Sequence, residues 1–372
     1  MTSDNQLTEG KQPMQSERPP EFAAALMAFE GFLQKLNPTA PTTVLCHSDA
    51  DGVAAGAILY RTLQRLTFSN LTILVTGKGA NAYTPQTKQR VAAAHPVALF
   101  VVDLGCLQEP VVPGVPTCFI DHHRPIGLPP EGVLISSYTW QPSPNAALLV
   151  YWLCSEVTPS EDMLWVAAIG TLSDLGHKAP FTIIPQAKKI YKAKWLREAT
   201  VLINAGRRST AGDAETALRA ILAAQHPREI AEGASPEARQ LAKYRRKVNA
   251  ALAEAKKAAP KFSGQVALVR VSSPCQVHPL VAQIWRTRLP KYMVLVGNEE
   301  YIPGYVAFSM RTASDVNLLD FLSGVEVDVA EGYFGYGHDQ ATGALLPTAS
   351  WNNLLQQLGF PQEVWAKTEG SH

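Results

Sequence analysis

The sequence predicts an α/β protein with a parallel-sheet domain, a long helical connector and a smaller α/β domain on the C-terminal side. Two observations predict this fold class. Nearly continuous apolar runs alternate with helical segments early in the chain, as in a parallel sheet covered by helices on both faces. A long charged helix begins near Pro236, and strand-like runs start again after Pro260. We therefore expect two sheets, one on each side of the connector.

The expected elements follow in order along the chain. Apolar residues at helical spacing from Phe22 to Leu36 predict a first amphipathic helix. Strands are predicted at 43–46, 71–76, 97–104 and 117–120, and then at 265–271, 292–297 and 304–311. Between these two sets, the region 145–224 has almost entirely helical patterns. The resulting boundaries are a disordered polar tail at 1–20, a first domain at 21–225, the connector at 226–260 and a second domain at 261–372.

Composition narrows the class of protein. Of the 372 residues, 46% are hydrophobic and 17% are charged, which is enough apolar material for one or two cores. The net charge of +1 excludes a histone-like or strongly acidic protein. Five scattered cysteines without a CxxC pair indicate reduced core thiols, and no apolar run reaches the length of about 18 residues that spans a membrane. We expect a soluble, cytoplasmic protein.

The first polar cluster follows the first predicted strand. His47, Asp49 and Asp51 alternate directly before a helix, at the carboxyl edge of the sheet where open α/β proteins place their sites. Three metal-ligand residue types within five positions indicate a metal site. The alternative is that an acid caps the helix and the histidine lies on the surface, but this alternative accounts for Asp51 alone.

Three further clusters lie at the ends of apolar segments. Asp103 closes the third predicted strand, where a turn is the alternative, and Asp174 ends an apolar helix, where a cap or turn is the default. Asp121, His122 and His123 follow the fourth strand, and an acid with two histidines favours a metal site.

Together these clusters supply enough ligands for two hard divalent cations that share one carboxylate. The candidate ligands are His47, Asp49, Asp51, Asp103, His122 and Asp174. Two cations about 4 Å apart can hold a bridging hydroxide and stabilise an in-line displacement at phosphorus. Histidine combined with several carboxylates favours manganese, with magnesium as the alternative.

The segments HSDADG, VVDLG, DHH and GTLSDLG resemble the four motifs of the DHH phosphoesterase family, in that family's order. The resemblance implies that one manganese ion is held by His47 and Asp49, and that Asp103 bridges to a second ion. It also implies that the second ion is held by Asp51, His122 and Asp174. By the same resemblance Asp121 orients its neighbours and His123 faces the phosphate, so the implied catalytic residues are Asp103, Asp121 and His123.

Further segments resemble the RecJ-type branch and the DHH-associated C-terminal domain. The segment LINAGRR resembles a RecJ element from which one alanine is missing. The resemblance implies that Arg207 contacts the substrate. The alternative is that Arg207 and Arg208 are two solvated arginines in a turn. The segment FGYGHDQATG resembles a glycine-rich phosphate loop, and FSMR its companion S-x-R element. The implied contacts are Ser309, Arg311, Gly335, Gly337 and His338, with His338 at a helix start; an ordinary loop is the alternative.

The resemblance implies a manganese-dependent exonuclease that uses two Mn²⁺ ions. Its substrates would be single-stranded DNA or RNA, or short oligonucleotides, which it would hydrolyse to mononucleotides. If the enzyme is RecJ-like, hydrolysis begins at the 5′ end. Without room for the OB-fold of full-length RecJ proteins, we expect short oligomers to be preferred. The alternatives are an oligoribonuclease (nanoRNase) or a cyclic-dinucleotide phosphodiesterase, and a non-catalytic nucleic-acid-binding subunit. The basic connector residues Arg245, Arg246, Lys247, Lys256 and Lys257 are either a solvated face or a nucleic-acid contact.

Overall fold

The fold is taken from a computed structural model that describes residues 18–328, 334 and 336–367. Most of the tail predicted at 1–20 lies outside these residues, and so does Gly335 of the glycine-rich segment. None of the helices in the described part of the chain combines the length and apolarity that a bilayer crossing requires.

The first sheet has five strands, all parallel, in the order β2-β1-β3-β4-β5. Their bounds are β1 Thr42–Cys46, β2 Leu71–Val75, β3 Ala98–Val102, β4 Thr117–Asp121 and β5 Gly132–Ser136. Three of them, β1, β3 and β4, are buried along their whole length, which explains their continuous apolar sequences. The edge strand β5 is half-buried and begins at a glycine, so its sequence pattern is weaker and it was not predicted.

Helices cover both faces of this sheet and form the large body of the first half of the chain. Their bounds are α1 Phe22–Leu33, α2 Ala50–Arg65, α3 Pro85–Ala93, α4 Ala146–Val157, α5 Leu164–Asp174, α6 Ile183–Tyr191, α7 Ala193–Arg208, α8 Ala214–Ala223 and α9 Pro227–Ala231. The larger core lies between one face of the sheet and α1, α2, α4 and α5. A smaller core lies on the other face, where Tyr83 and Val91 pack on Leu99 and Phe119.

The connector helix α10 spans Pro236–Ala255. Its charged residues face solvent, but a buried stripe joins it to both halves of the molecule. Leu241 belongs to the large core of the first half, whereas Val248 and Ala255 belong to a core of the second half. The connector is therefore packed against both halves, beyond the solvated helix that its charges predict.

The second sheet is mixed and has six strands in the order β10-β11-β9-β8-β7-β6, in which β7 and β8 are parallel. Its strands are β6 Lys261–Ser263, β7 Val266–Val271, β8 Met293–Ile302, β9 Tyr305–Arg311, β10 Tyr336–His338 and β11 Ala341–Pro347. Its helices are α11 His278–Arg288, α12 Leu318–Ser323 and α13 Thr348–Gln357. The predicted fold class, a parallel-sheet domain followed by a connector and a smaller α/β domain, is confirmed.

The expectation that His338 begins a helix is wrong. His338 ends strand β10, which pairs with β11 in a tight hairpin in which His338 lies opposite Ala341. Two residues, Asp339 and Gln340, make the turn. Backbone groups of this segment are therefore used in strand pairing with β11, which in turn pairs with β9.

Candidate metal centre

Three neighbouring parallel strands deliver most of the candidate ligands to one edge of the first sheet. His47 follows β1, Asp103 follows β3, and Asp121 ends β4 directly before His122. Because β1, β3 and β4 are adjacent and parallel, their carboxyl ends meet at the same edge. Residues that are far apart in the sequence therefore lie within a few ångströms of each other.

The first ligand group consists of His47, Asp49 and Asp103. One donor atom from each lies within 4.8 Å of the others. His47 Nδ1 is 3.3 Å from Asp49 Oδ1 and 3.3 Å from Asp103 Oδ2. Gly52 allows this arrangement, since a Cβ atom there would lie 2.4 Å from the Cβ of His47.

Asp49 is also the cap of helix α2, because its side chain accepts a hydrogen bond of 3.0 Å from the Gly52 N–H. The alternative that Asp51 is the capping acid is therefore wrong. Asp51 lies in the first turn of the helix and points inward, with only 2% of its surface exposed.

The second ligand group consists of Asp51, His122 and Asp174, again with donor atoms within 4.8 Å of one another. His122 Nε2 is 3.7 Å from Asp51 Oδ2, and His122 Nδ1 is 3.8 Å from Asp174 Oδ2. The same Nε2 atom is 3.3 Å from Asp103 Oδ1. Asp103 therefore lies between the two groups, one carboxylate oxygen toward each.

The N-terminus of helix α4 holds Asp51 in place. Asp51 Oδ1 accepts hydrogen bonds from Asn145 Nδ2 (2.6 Å) and the Ala147 N–H (2.7 Å), while Oδ2 accepts one of 3.1 Å from the Ala146 N–H. Burial and the neighbouring Asp103 carboxylate nevertheless keep the pKa of Asp51 well above its ordinary value. A cation beside Oδ2 would offset that cost.

Asp121 supports the site through hydrogen bonds to the residues around it. Its Oδ1 accepts hydrogen bonds from the N–H groups of His122 (2.6 Å) and His123 (2.8 Å) and lies 2.7 Å from His123 Nδ1, while the Gly105 N–H donates to its Oδ2. Burial alone would raise the pKa of Asp121, but His123 and these donors hold it below its ordinary value. Asp121 is thus an ionised carboxylate that orients the two histidines.

The donor set fits divalent cations. Among the described residues, Asp103 Oδ1 has no hydrogen-bond partner although it is buried, which is costly for a carboxylate unless a cation lies beside it. Carboxylates of Asp49, Asp51, Asp103 and Asp174 converge with two imidazoles, and such oxygen and nitrogen donors suit manganese or magnesium.

The second half of the molecule supplies the opposite wall of the cleft. Ser309 and Arg311 alternate along β9 and so share one face of the sheet, next to His338. The His338 ring lies 4.9 Å from that of His123 and 4.8 Å from that of His122, between ring centroids. Gly337 lines the same cavity, which has a volume of about 400 Å³.

Arg207 and Arg208 lie in the last turn of helix α7. The alternative of two solvated arginines in a turn is therefore wrong. The Arg207 side chain is 17% exposed, and its Nη2 is 3.5 Å from Asp49 Oδ2. Within the described residues, the Nε atoms of Arg207, Arg208 and Arg311 are buried without a hydrogen-bond acceptor. Arg207 and Arg311 line the cleft, so their donors are suited to an anion that enters it.

Several residues that shape the site were not predicted. Asn145 anchors Asp51, and Asn204 accepts a hydrogen bond of 3.3 Å from the Ala50 N–H while donating one of 2.9 Å to Ser173 Oγ. Gln276 and His278 line the cleft near the arginines. Asn145 directly precedes an apolar helix, and His278–Pro279 begins one. These positions at helix starts are the sequence features from which the residues could have been identified.

Comparison with solved structures shows what the fold resembles. RecJ from Thermus thermophilus, in complex with Mn²⁺, superposes with a TM-score of 0.61 at 18% identity over 91% of this chain. This chain spans only 55% of that protein. An exonuclease RecJ bound to manganese gives a TM-score of 0.56 at 20% identity, covering 94% of this chain and 98% of that one.

The DHH domain of a member of the s1p family of ribosomal proteins gives a TM-score of 0.63 at 17% identity, over 91% of this chain and 90% of that chain. No protein-family model matches the sequence, and no curated protein matches it. The chain has the fold of RecJ and DHH-domain proteins, as the sequence resemblance implies.

Proposed function

We propose that this protein is a metal-dependent phosphodiesterase that uses two Mn²⁺ ions to hydrolyse single-stranded nucleic acid or short oligonucleotides from the 5′ end. The products are mononucleotides. The main support for the proposal is that two carboxylate–histidine groups sharing Asp103 lie at one cleft with two half-buried arginines, Arg207 and Arg311. The RecJ structures of similar fold hold manganese, which supports this choice of metal.

The proposed ligand assignment follows the geometry of the site. His47 and Asp49 would hold one ion, Asp51, His122 and Asp174 would hold the other, and Asp103 would bridge them. When bound, two such ions supply an activated water and stabilise charge that develops on the phosphate oxygens. Helix α4 holds Asp51 in position through the hydrogen bonds from Asn145 Nδ2 and the Ala147 N–H.

The remaining residues would bind and orient the phosphate. Arg207 and Arg311 would donate to the non-bridging oxygens from opposite sides of the cleft, and Ser309 would donate from the floor beside Arg311. His123 faces the same cavity, and its ring orientation is fixed by the short contact with Asp121. Gly337 and His338 would close the cleft above the histidines.

The test is product analysis in manganese with three substrates: a 5′-labelled single strand, a dinucleotide and cyclic di-AMP. The proposal predicts that the single strand releases a labelled mononucleotide first and that the dinucleotide is also cleaved. Activity confined to the dinucleotide or to cyclic di-AMP would assign the site to an oligoribonuclease or a cyclic-dinucleotide phosphodiesterase. Binding of the single strand without cleavage of any substrate would instead indicate a non-catalytic subunit.

A further inference from the structure

Two polar side chains beside the arginines are not explained by phosphate binding. Gln276 and His278 line the cleft at the start of helix α11. In the described part of the chain, Gln276 Oε1 and His278 Nδ1 are buried without hydrogen-bond partners, and His278 is only 4% exposed. Buried polar atoms of this kind are rare unless a ligand or water completes them.

A phosphate would leave the hydrogen-bond acceptors of this polar pair unused. The oxygen of an amide accepts hydrogen bonds, and a phosphodiester has no proton to donate. His278 is uncharged, because burial together with Arg207, Arg208 and Arg311 lowers its pKa to about 3. A neutral imidazole offers one N–H donor and one accepting nitrogen, and the glutamine amide offers two N–H donors and an accepting oxygen. A neutral group that both donates and accepts hydrogen bonds therefore suits them.

In a nucleotide, that group is a sugar hydroxyl. The arginines and the polar pair are close neighbours, since the Gln276 N–H donates a hydrogen bond of 2.9 Å to the carbonyl oxygen of Arg208. The sugar is the part of a nucleotide bonded to the phosphate, whereas the polar edges of the bases lie farther away and differ between bases. In a 5′-phosphorylated strand the 3′ oxygen of the first nucleotide is esterified, which leaves the 2′-hydroxyl of RNA as its free sugar hydroxyl.

We propose that Gln276 and His278 bind the 2′-hydroxyl of the terminal nucleotide and so make the enzyme selective for RNA over DNA. This inference rests on the proposed function. A site built to hydrogen-bond a hydroxyl discriminates against a substrate that lacks it, because the buried polar atoms then stay unpaired.

The test is internal competition in manganese between 5′-phosphorylated pentamers of riboadenylate and deoxyriboadenylate in one reaction. We expect the RNA pentamer to have a kcat/KM at least about fivefold higher, the smallest effect of leaving a buried group unpaired. Gln276→Leu should move this ratio toward one. Gln283→Leu, on an exposed position of the same helix, should keep it.

A third substrate keeps the test independent of variant folding. A 2′-fluoro pentamer keeps an electronegative 2′ substituent but lacks the hydroxyl proton, so we expect it to compete like DNA with the wild-type protein. Equal use of RNA and DNA, equal use of 2′-fluoro and RNA pentamers, or a ratio unchanged in folded Gln276→Leu would each overturn the inference. Failure to cleave any pentamer would overturn the proposed function itself.

Discussion

Asp103 belongs to both proposed ligand groups and has an unusual backbone. Its φ angle is +62°, in the left-handed region that aspartate and asparagine tolerate better than most residues. The chain therefore turns sharply directly after β3, and the side chain lies between His47 and His122 with 3% of the residue exposed. A strained, buried carboxylate of this kind indicates a functional constraint.

Replacing Asp103 by asparagine tests its bridging role. Asparagine keeps the size and tolerates the left-handed conformation, so the fold should be retained. Removing the shared carboxylate should lower turnover in manganese at least about a thousandfold, since metal stabilisation of the transition state is worth several kcal/mol. The assay compares initial rates and circular dichroism of the two proteins. A folded variant with more than a tenth of wild-type turnover would contradict the role.

His278 predicts how stability depends on pH. Its folded pKa is lowered to about 3, mainly by burial, so below the ordinary value of 6.5 the unfolded chain binds a proton that the folded protein does not. This residue therefore lowers the free energy of unfolding as the pH falls from 6.5 toward 3. Between pH 6.5 and 5 the loss should be about 1.5 kcal/mol.

Urea unfolding of metal-free wild-type and His278→Asn proteins at the two pH values measures this effect. The drop in unfolding free energy should be smaller in the variant by about that amount. An identical drop in both folded proteins would show that His278 is not held neutral in the fold.

The N-terminus of helix α4 supports the second ligand group through its hydrogen bonds to Asp51. Asn145→Ala removes the donor 2.6 Å from Asp51 Oδ1 and leaves the ligand residues unchanged. Loss of such a supporting contact typically costs 10- to 100-fold in metal affinity, so we expect about that loss by Mn²⁺ titration. Asn249→Ala, at an exposed position of α10, is the matched control. Equal Mn²⁺ affinity in both variants would show that α4 does not position Asp51.

The sequence predicts the central strands well because β1, β3 and β4 are buried on both sides and are therefore continuously apolar. It predicts β5 and β10 poorly. The first is half-buried, and the second is a three-residue strand whose glycine and histidine suggest a loop. The six candidate ligands could be identified because they cluster at strand and helix ends. Gln276 could not be, since its place in the cleft depends on a hydrogen bond from its backbone N–H to the carbonyl oxygen of Arg208, far away in the sequence.

The cleft between the two sheets limits how many phosphates are bound at once. Two half-buried arginines, Arg207 and Arg311, line it, whereas two of the basic connector residues are paired elsewhere: Arg245 with Glu198, and Lys257 with Glu254. Each neutralised phosphate adds roughly 0.7 to the slope of log affinity against log salt for single strands. We expect a shallow slope that corresponds to about two to four phosphates.

A length series of single strands in manganese checks this expectation. Turnover of five-nucleotide oligomers should lie within a few-fold of that of much longer strands. A steep salt dependence combined with activity confined to long strands would mean that an extended binding surface outside the cleft contributes.

Under the proposed function, this cleft holds two metal ions that share Asp103. Anomalous diffraction from crystals soaked in Mn²⁺ tests it most directly. We expect two peaks about 4 Å apart, one beside His47 and Asp49 and the other beside Asp51, His122 and Asp174, with Asp103 between them. A single peak, or peaks that leave Asp103 without a metal contact, would contradict it.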